Sequence, residues 1–272
     1  MVSKRNCLGL SRRAPAVAGL FYPRSAETLS RTIADLLADA GGPKRLPPRG
    51  VIAPHAGYAY SGRVAAKAFA NLRPLRDRVE RAIVIGPAHF VPFRGIAAPS
   101  NSVFATPLGE VPIDLAAIEA LSEANLVVID DKPHVREHAL EVELPFLQAM
   151  FGDLPIVPLL FGSTCAAAVA AAIAGVWTDD TLLVVSSDLS HFEDYASACR
   201  HDNRTAAAIE AFDEAVIGPS DACGHLAVRG ALIEAARRGF DVERLALCNS
   251  GDSSGDRQCV VGYGAWAFYA PR

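Results

Sequence analysis

Short, wholly apolar runs alternate along this chain with stretches of helical periodicity, and that alternation narrows the possible folds more than any other feature. Gly50–Ala53 and Ala82–Ile85 read as buried strands, and Leu126–Ile129, Ile156–Phe161 and Leu182–Val185 as further short strands. Helical patterns lie between them. Ser25 caps a helix that carries Leu29, Ile33 and Leu36 at helical spacing, Ser61 caps one running to about Leu72, and Asp114 caps a short one. Further helices are expected over Glu137–Phe151, with a proline interruption, and over the alanine-rich run after Cys165. Two more are expected over Ala198–Phe212 and Asp221–Arg238, with Val260–Phe268 as a closing strand. The glycine- and proline-rich stretch that ends at Pro112 reads as irregular or hairpin-like. Apolar strands separated by helices imply an α/β fold: a mostly parallel central sheet with helices on both faces.

No internal repeat or shift in composition divides the chain. Its 272 residues, 51% of them hydrophobic, suit one large α/β domain. A single domain over residues 1–272 is expected, with residues 1–13 as a flexible N-terminal lead. The net charge of -4 offers no basic field for a polyanion, which excludes nucleic acid as a main partner. The cysteines are scattered, without a CxxC pair, so a disulfide framework is not expected. The charged N-terminus lacks an apolar run of signal length, because Arg12 and Arg13 interrupt it. No apolar stretch reaches the ~18 residues that a membrane helix needs. A soluble, cytoplasmic protein without membrane association is the expectation.

Three strands end in polar motifs: Pro54-His55-Ala-Gly57, Gly86-Pro-Ala-His89, and Ser186-Ser-Asp188-Leu-Ser-His191. In open α/β sheets ligands bind outside the carboxyl ends of the strands, so these side chains are expected to share one crevice. The bland alternative for each histidine is a hydrogen-bonded structural group. For Ser187, Asp188 and Ser190 it is a helix cap.

Those motifs belong to a longer ordered set that resembles the Memo family, also called AmmeMemoRadiSam system protein B. The set comprises Ala14–Pro23, Ile52–Gly62, Phe104–Gly109, Glu137–Leu147, Ser186–His191, Cys223-Gly224 and Ser250–Arg257. The resemblance covers nearly the whole chain. It implies a fold similar to the LigB-like class III extradiol ring-cleavage dioxygenases, which hold Fe(II) with two histidines and a carboxylate. By that resemblance, His55 and His89 are the histidine ligands and Cys223 stands where the dioxygenases place the carboxylate. His191 matches the acid/base histidine, with Asp188 beside it to orient its ring or bind substrate.

A thiolate is softer than a carboxylate and widens the metal choice to iron, copper or zinc. The expected function is a metal-dependent redox enzyme acting on a small molecule. The alternative is a non-enzymatic protein that binds a metal, a ligand or a peptide in the old cleft. The family name further implies AMMECR-type and radical-SAM partner proteins. Without the resemblance, Cys223 reads as a small buried hydrophobe.

Two other patterns suggest chemistry. His134-Val-Arg-Glu137-His138 fits the H-x-x-E-H of some zinc peptidases, which would need a helix there. The Memo motif from Glu137 to Leu147 accounts for it better, with His138 and Glu141 supporting the pocket from behind its ligands. Ser250–Gly255 resembles the surroundings of a serine nucleophile but lacks the G-x-S-x-G spacing, and reads as a glycine-rich turn. Arg257 is expected to pair with an acidic group, and His225 to be exposed.

Overall fold

A computed structural model describes residues 11–42 and 47–271. The strands are β1 (Arg12–Arg13), β2 (Gly50–Ala53), β3 (Arg81–Pro87), β4 (Ile96–Ala98), β5 (Val103–Thr106) and β6 (Gly109–Pro112). They continue with β7 (Val128–Ile129), β8 (Ile156–Phe161), β9 (Thr181–Ser186), β10 (His191–Glu193), β11 (Asp241–Asn249) and β12 (Val260–Tyr269). The helices are α1 (Ala26–Ala40), α2 (Tyr58–Ala70), α3 (Leu115–Glu123), α4 (Leu144–Phe151), α5 (Ala166–Ala174), α6 (Tyr195–Glu210), α7 (His225–Arg237) and α8 (Gly251–Ser254).

The main sheet is nine-stranded, in the order β10-β12-β2-β9-β3-β8-β4-β7, with β11 on the free side of β12. Its centre, β2-β9-β3-β8, is parallel. Its flanks are antiparallel where β12 joins β2 and where β4 joins β8. Every residue of β8 and β9 is buried, as the continuous apolar runs require. Helix α2, with α1 and α4 around it, packs on β2 and β12, whereas α7, backed by α5, packs on β3 and β9. In the core Phe69 of α2 stacks on Phe146 of α4, with ring centroids 4.9 Å apart.

Ser25 and Asp114 cap their helices as expected. Gly57, not Ser61, precedes α2, and Ser61 instead bonds back to the Ala56 carbonyl. The stretch before Pro112 forms β4 and the β5–β6 hairpin. Asp241–Asn249 gave no strand signal, because its polar and apolar residues do not alternate cleanly. It becomes β11 by pairing along most of β12.

The lead expected over residues 1–13 lies largely outside the described residues. Within it, Arg12 and Arg13 are part of the fold: they pair in parallel with Val103 and Phe104. Arg13 is buried, and a guanidinium is held inside only by partners for its donors. Its partners are the Glu141 carboxylate at 2.7 Å and the carbonyls of His134 at 2.6 Å and Glu137 at 2.5 Å.

Candidate metal centre

Strand β9 lies between β2 and β3, so the three polar motifs leave adjacent parallel strands at one edge. This is the switch point at which the chain skips from β2 to β3 and later returns to fill the gap. His55 follows β2, His89 follows β3, and Ser186–Asp188 closes β9.

Each histidine is held at one ring nitrogen. His55 is buried, and its Nδ1 lies 2.7 Å from Ser186 Oγ. That hydroxyl has one proton and gives it to the Ala139 carbonyl at 2.6 Å. It therefore accepts from His55 Nδ1–H and leaves the lone pair on Nε2. Glu143 Oε1, also buried, lies 3.2 Å from the same hydroxyl, and burial pushes its carboxyl well above the usual range. His89 Nδ1 lies 2.9 Å from Glu137 Oε1 and donates to it, which again leaves Nε2 free. His138 Nδ1 is 3.2 Å from the same oxygen, close enough for attraction but off the hydrogen-bond direction, so it is buried without a directed partner.

Glu137 is the hub of this wall. Its carboxylate also accepts the amides of His89, His138 and Ala139 at 2.5, 2.9 and 3.0 Å. Burial alone would raise its pKa, but the imidazoles of His138 and His89 and the Ala139 amide hold it well below the usual carboxylate range. His55 is held neutral: burial, then the neighbouring His89 and His138, push its pKa well below the ordinary value.

The nitrogens of His55, His89 and His138 lie within 4.8 Å of one another, a grouping able to hold a metal ion. The rings of His89 and His138 stack at 4.7 Å, and both meet His55 edge-on at 5.3 and 5.4 Å. Cys223 approaches from the loop before α7, with Sγ 3.3 Å from His55 Nε2 and 3.3 Å from the Asp188 amide. Gly224 makes this approach possible. A Cβ there would lie 2.5 Å from that of Ser187 and 2.7 Å from the Ser186 carbonyl oxygen, so a larger residue would push Cys223 off the strand end.

The three histidine nitrogens fit a metal; Cys223 stands outside that group and approaches it through His55. Ligand bonds of about 2.0 Å to nitrogen and 2.3 Å to sulfur at a tetrahedral angle separate the two atoms by about 3.5 Å, near the observed His55–Cys223 spacing. Burial, then the Asp188 charge, push the Cys223 thiol above its ordinary range, so a bound cation would have to displace its proton.

Asp188 is buried and accepts the His55 amide at 2.8 Å. Burial raises its carboxyl to about 6, against the lowering influence of His191 and of the His55 amide. It makes no bond to the His191 ring. That ring is exposed and is held through Nδ1, 2.8 Å from the Leu189 carbonyl. The helix after this segment is capped by Asp194 rather than by Ser187, Asp188 or Ser190.

The other patterns resolve simply. Residues 134–140 run as turns, not helix, and His134 Nε2 faces the Ala97 carbonyl at 3.2 Å, away from a zinc-peptidase arrangement. Ser250–Gly255 forms a turn and the short α8. Arg257 lies over the Tyr195 ring at 4.4 Å instead of pairing with an acid. His225 begins α7 and is half-buried. No helix among the described residues is long and apolar enough to cross a membrane.

Fold and site together define an α/β protein with a histidine cluster suited to a metal ion at the carboxyl edge of its parallel strands. Residues 13–267 match the family model described as Memo-like protein. A MEMO1 family protein of Thermotoga maritima is 35% identical, over 93% of this chain and 98% of that one. One of Methanobrevibacter smithii is 37% identical, over 94% and 99%. The chain belongs to the Memo family. A crystal structure of an uncharacterized protein from Escherichia coli K12 shares the fold, with TM-score 0.53 and 13% identity over 80% of this chain and 98% of that one. The architecture is consistent with the LigB-like fold.

Proposed function

We propose that this protein is a metal-dependent redox enzyme acting on a small molecule, with the ion held by His55, His89 and Cys223. The observation that carries this reading is the convergence of ring nitrogens at the strand ends, with His89 oriented by a carboxylate and His55 by a hydroxyl. An iron or copper ion bound there would supply Lewis-acid and one-electron chemistry. The chain's own groups do the rest. The Leu189 carbonyl fixes the His191 ring at Nδ1, leaving Nε2 at the solvent side to take or give a proton. Asp188 fixes the backbone at His55, and so the direction of that ligand.

The test is turnover of small-molecule reductants, catechols among them, by anaerobically loaded protein exposed to oxygen. His191→Ala should keep the metal and lose turnover, whereas loss of metal in that variant would make His191 a ligand. Cys223→Glu separates two histories. Catechol cleavage only in that variant would mean that the native cysteine has abandoned dioxygenation.

His138 favours a second reading. His138, rather than Cys223, is the residue whose nitrogen groups with those of His55 and His89, and with Cys223 as a fourth donor the protein would close the coordination sphere as structural and storage sites do. Azide added to the loaded protein discriminates between them. A shift in the metal's absorption spectrum supports an open, catalytic position, and an unchanged spectrum supports a carrier.

A further inference from the structure

Helix α2 and the turn from β11 into α8 enclose a cavity of about 480 Å³ that the metal centre does not use. Strand β11 is two antiparallel steps from β2, so it runs parallel to β2, and Asn249 ends it at the edge where His55 stands. Tyr263, paired with Cys248 in the β11–β12 ladder, lies near both Asp188 and Tyr60. The cavity therefore neighbours the histidine cluster along one sheet edge.

Its lining divides by chemistry. Leu36, Tyr58 and Val64 give an apolar floor. Arg63 and the Tyr60 hydroxyl are donors with no hydrogen-bond or ion-pair partner among the described residues, and both residues are exposed. The Asp252 carboxylate on the opposite wall is committed, accepting the Tyr195 hydroxyl at 2.7 Å and the Asn249 amide at 3.1 Å. Arg63 is thus the uncommitted charge. At Leu36, Tyr58 and Ala59 the cavity adjoins a second one of about 520 Å³, whose walls include Leu20, Phe21 and Pro23. Leu20 is 80% exposed there. Each volume falls in the range of small-molecule sites.

We infer that this double cavity binds an amphiphilic organic anion, its carboxylate on Arg63 and Tyr60 and its apolar body laid across Ala59 toward Leu20 and Phe21. A guanidinium holds a carboxylate through paired donors, while the floor removes the chain from water. The inference does not rest on the metal.

The test is fluorescence titration of the metal-free protein with anilinonaphthalene sulfonate, followed by displacement. Saturable binding is expected. Dodecanoate should displace the probe at least about tenfold more tightly than hexanoate, since each buried methylene adds to affinity, and dodecyltrimethylammonium should not compete. Arg63→Glu should weaken binding at least about tenfold, Ala59→Trp should block it where the cavities meet, and His55→Ala should leave it unchanged. Thermal melts check that the variants fold. Should Ala59→Trp melt early, Leu20→Asp makes the same test at the outer lip. Equal binding by wild type and Arg63→Glu, equal competition by the cationic amphiphile, or no saturable binding would overturn the inference.

Discussion

Arg13 and Glu141 form a buried ion pair 2.7 Å long between segments 128 residues apart in the chain. The pair ties the N-terminal motif to the turn that carries Glu137 and His138. Glu141 also accepts the Ala16 and Val17 amides at 2.7 and 3.0 Å and the Tyr22 hydroxyl at 2.6 Å. Removing one partner leaves a buried charge uncompensated. Glu141→Ala should cost about 3–5 kcal/mol of stability, read from urea unfolding. A loss below about 1 kcal/mol would mean that water reaches Arg13.

His134 makes stability fall with acid. Burial, then the Arg13 charge, lower its pKa to about 4 from the ordinary 6.5. Between those values the unfolded chain takes up a proton that the folded chain refuses. The contribution is complete above about 6.5 and is lost as pH falls toward 4, by about 3 kcal/mol in all. Unfolding from pH 7 to 4 should therefore show a steeper loss in wild type than in His134→Gln. Parallel curves would contradict the assignment.

His201 works in the other direction. It bridges Glu193 and Asp221, 2.7 Å from each, and so links the strand of His191 to the loop of Cys223. Burial opposes its charge, but the bonds to Glu193 and Asp221 prevail and raise its pKa. Its stabilisation is present below the unfolded value and is lost as pH rises through the folded one. Wild type should lose stability relative to His201→Gln on going from pH 6 to 9, in a melting series. A difference that is constant with pH would show that the ring is neutral.

Ser186 and Glu137 set which nitrogen of His55 and of His89 is free. Ser186→Ala and Glu137→Gln should each lower metal affinity about 10–100-fold, measured by competition with a coloured chelator. Unchanged affinity in both would mean that these rings need no orienting partner.

Much of this was legible in the sequence. The apolar runs at β2, β3, β8 and β9 could be nothing but buried strands, and their polar ends located His55, His89 and Asp188 at one edge. The resemblance supplied Cys223, whose place depends on a close approach at Gly224 that no periodicity reveals. Arg13 was missed because a buried arginine looks like any charged residue until its partners, far away in the chain, are known. The sequence places His138 behind the ligands, whereas in the structure its nitrogen stands with those of His55 and His89. The turn that aims its ring is held by Arg13 and Glu137 and not by any local helix signal.

Whether the histidine–cysteine pocket holds a metal is decided by metal content. Wild type, His55→Ala, His89→Ala and Cys223→Ala would be purified and reconstituted without oxygen, then measured by mass spectrometry. About one equivalent of iron or copper is expected in wild type, with the metal lost in all three variants. No bound metal in wild type under any reconstitution, or full retention in His55→Ala, would contradict it.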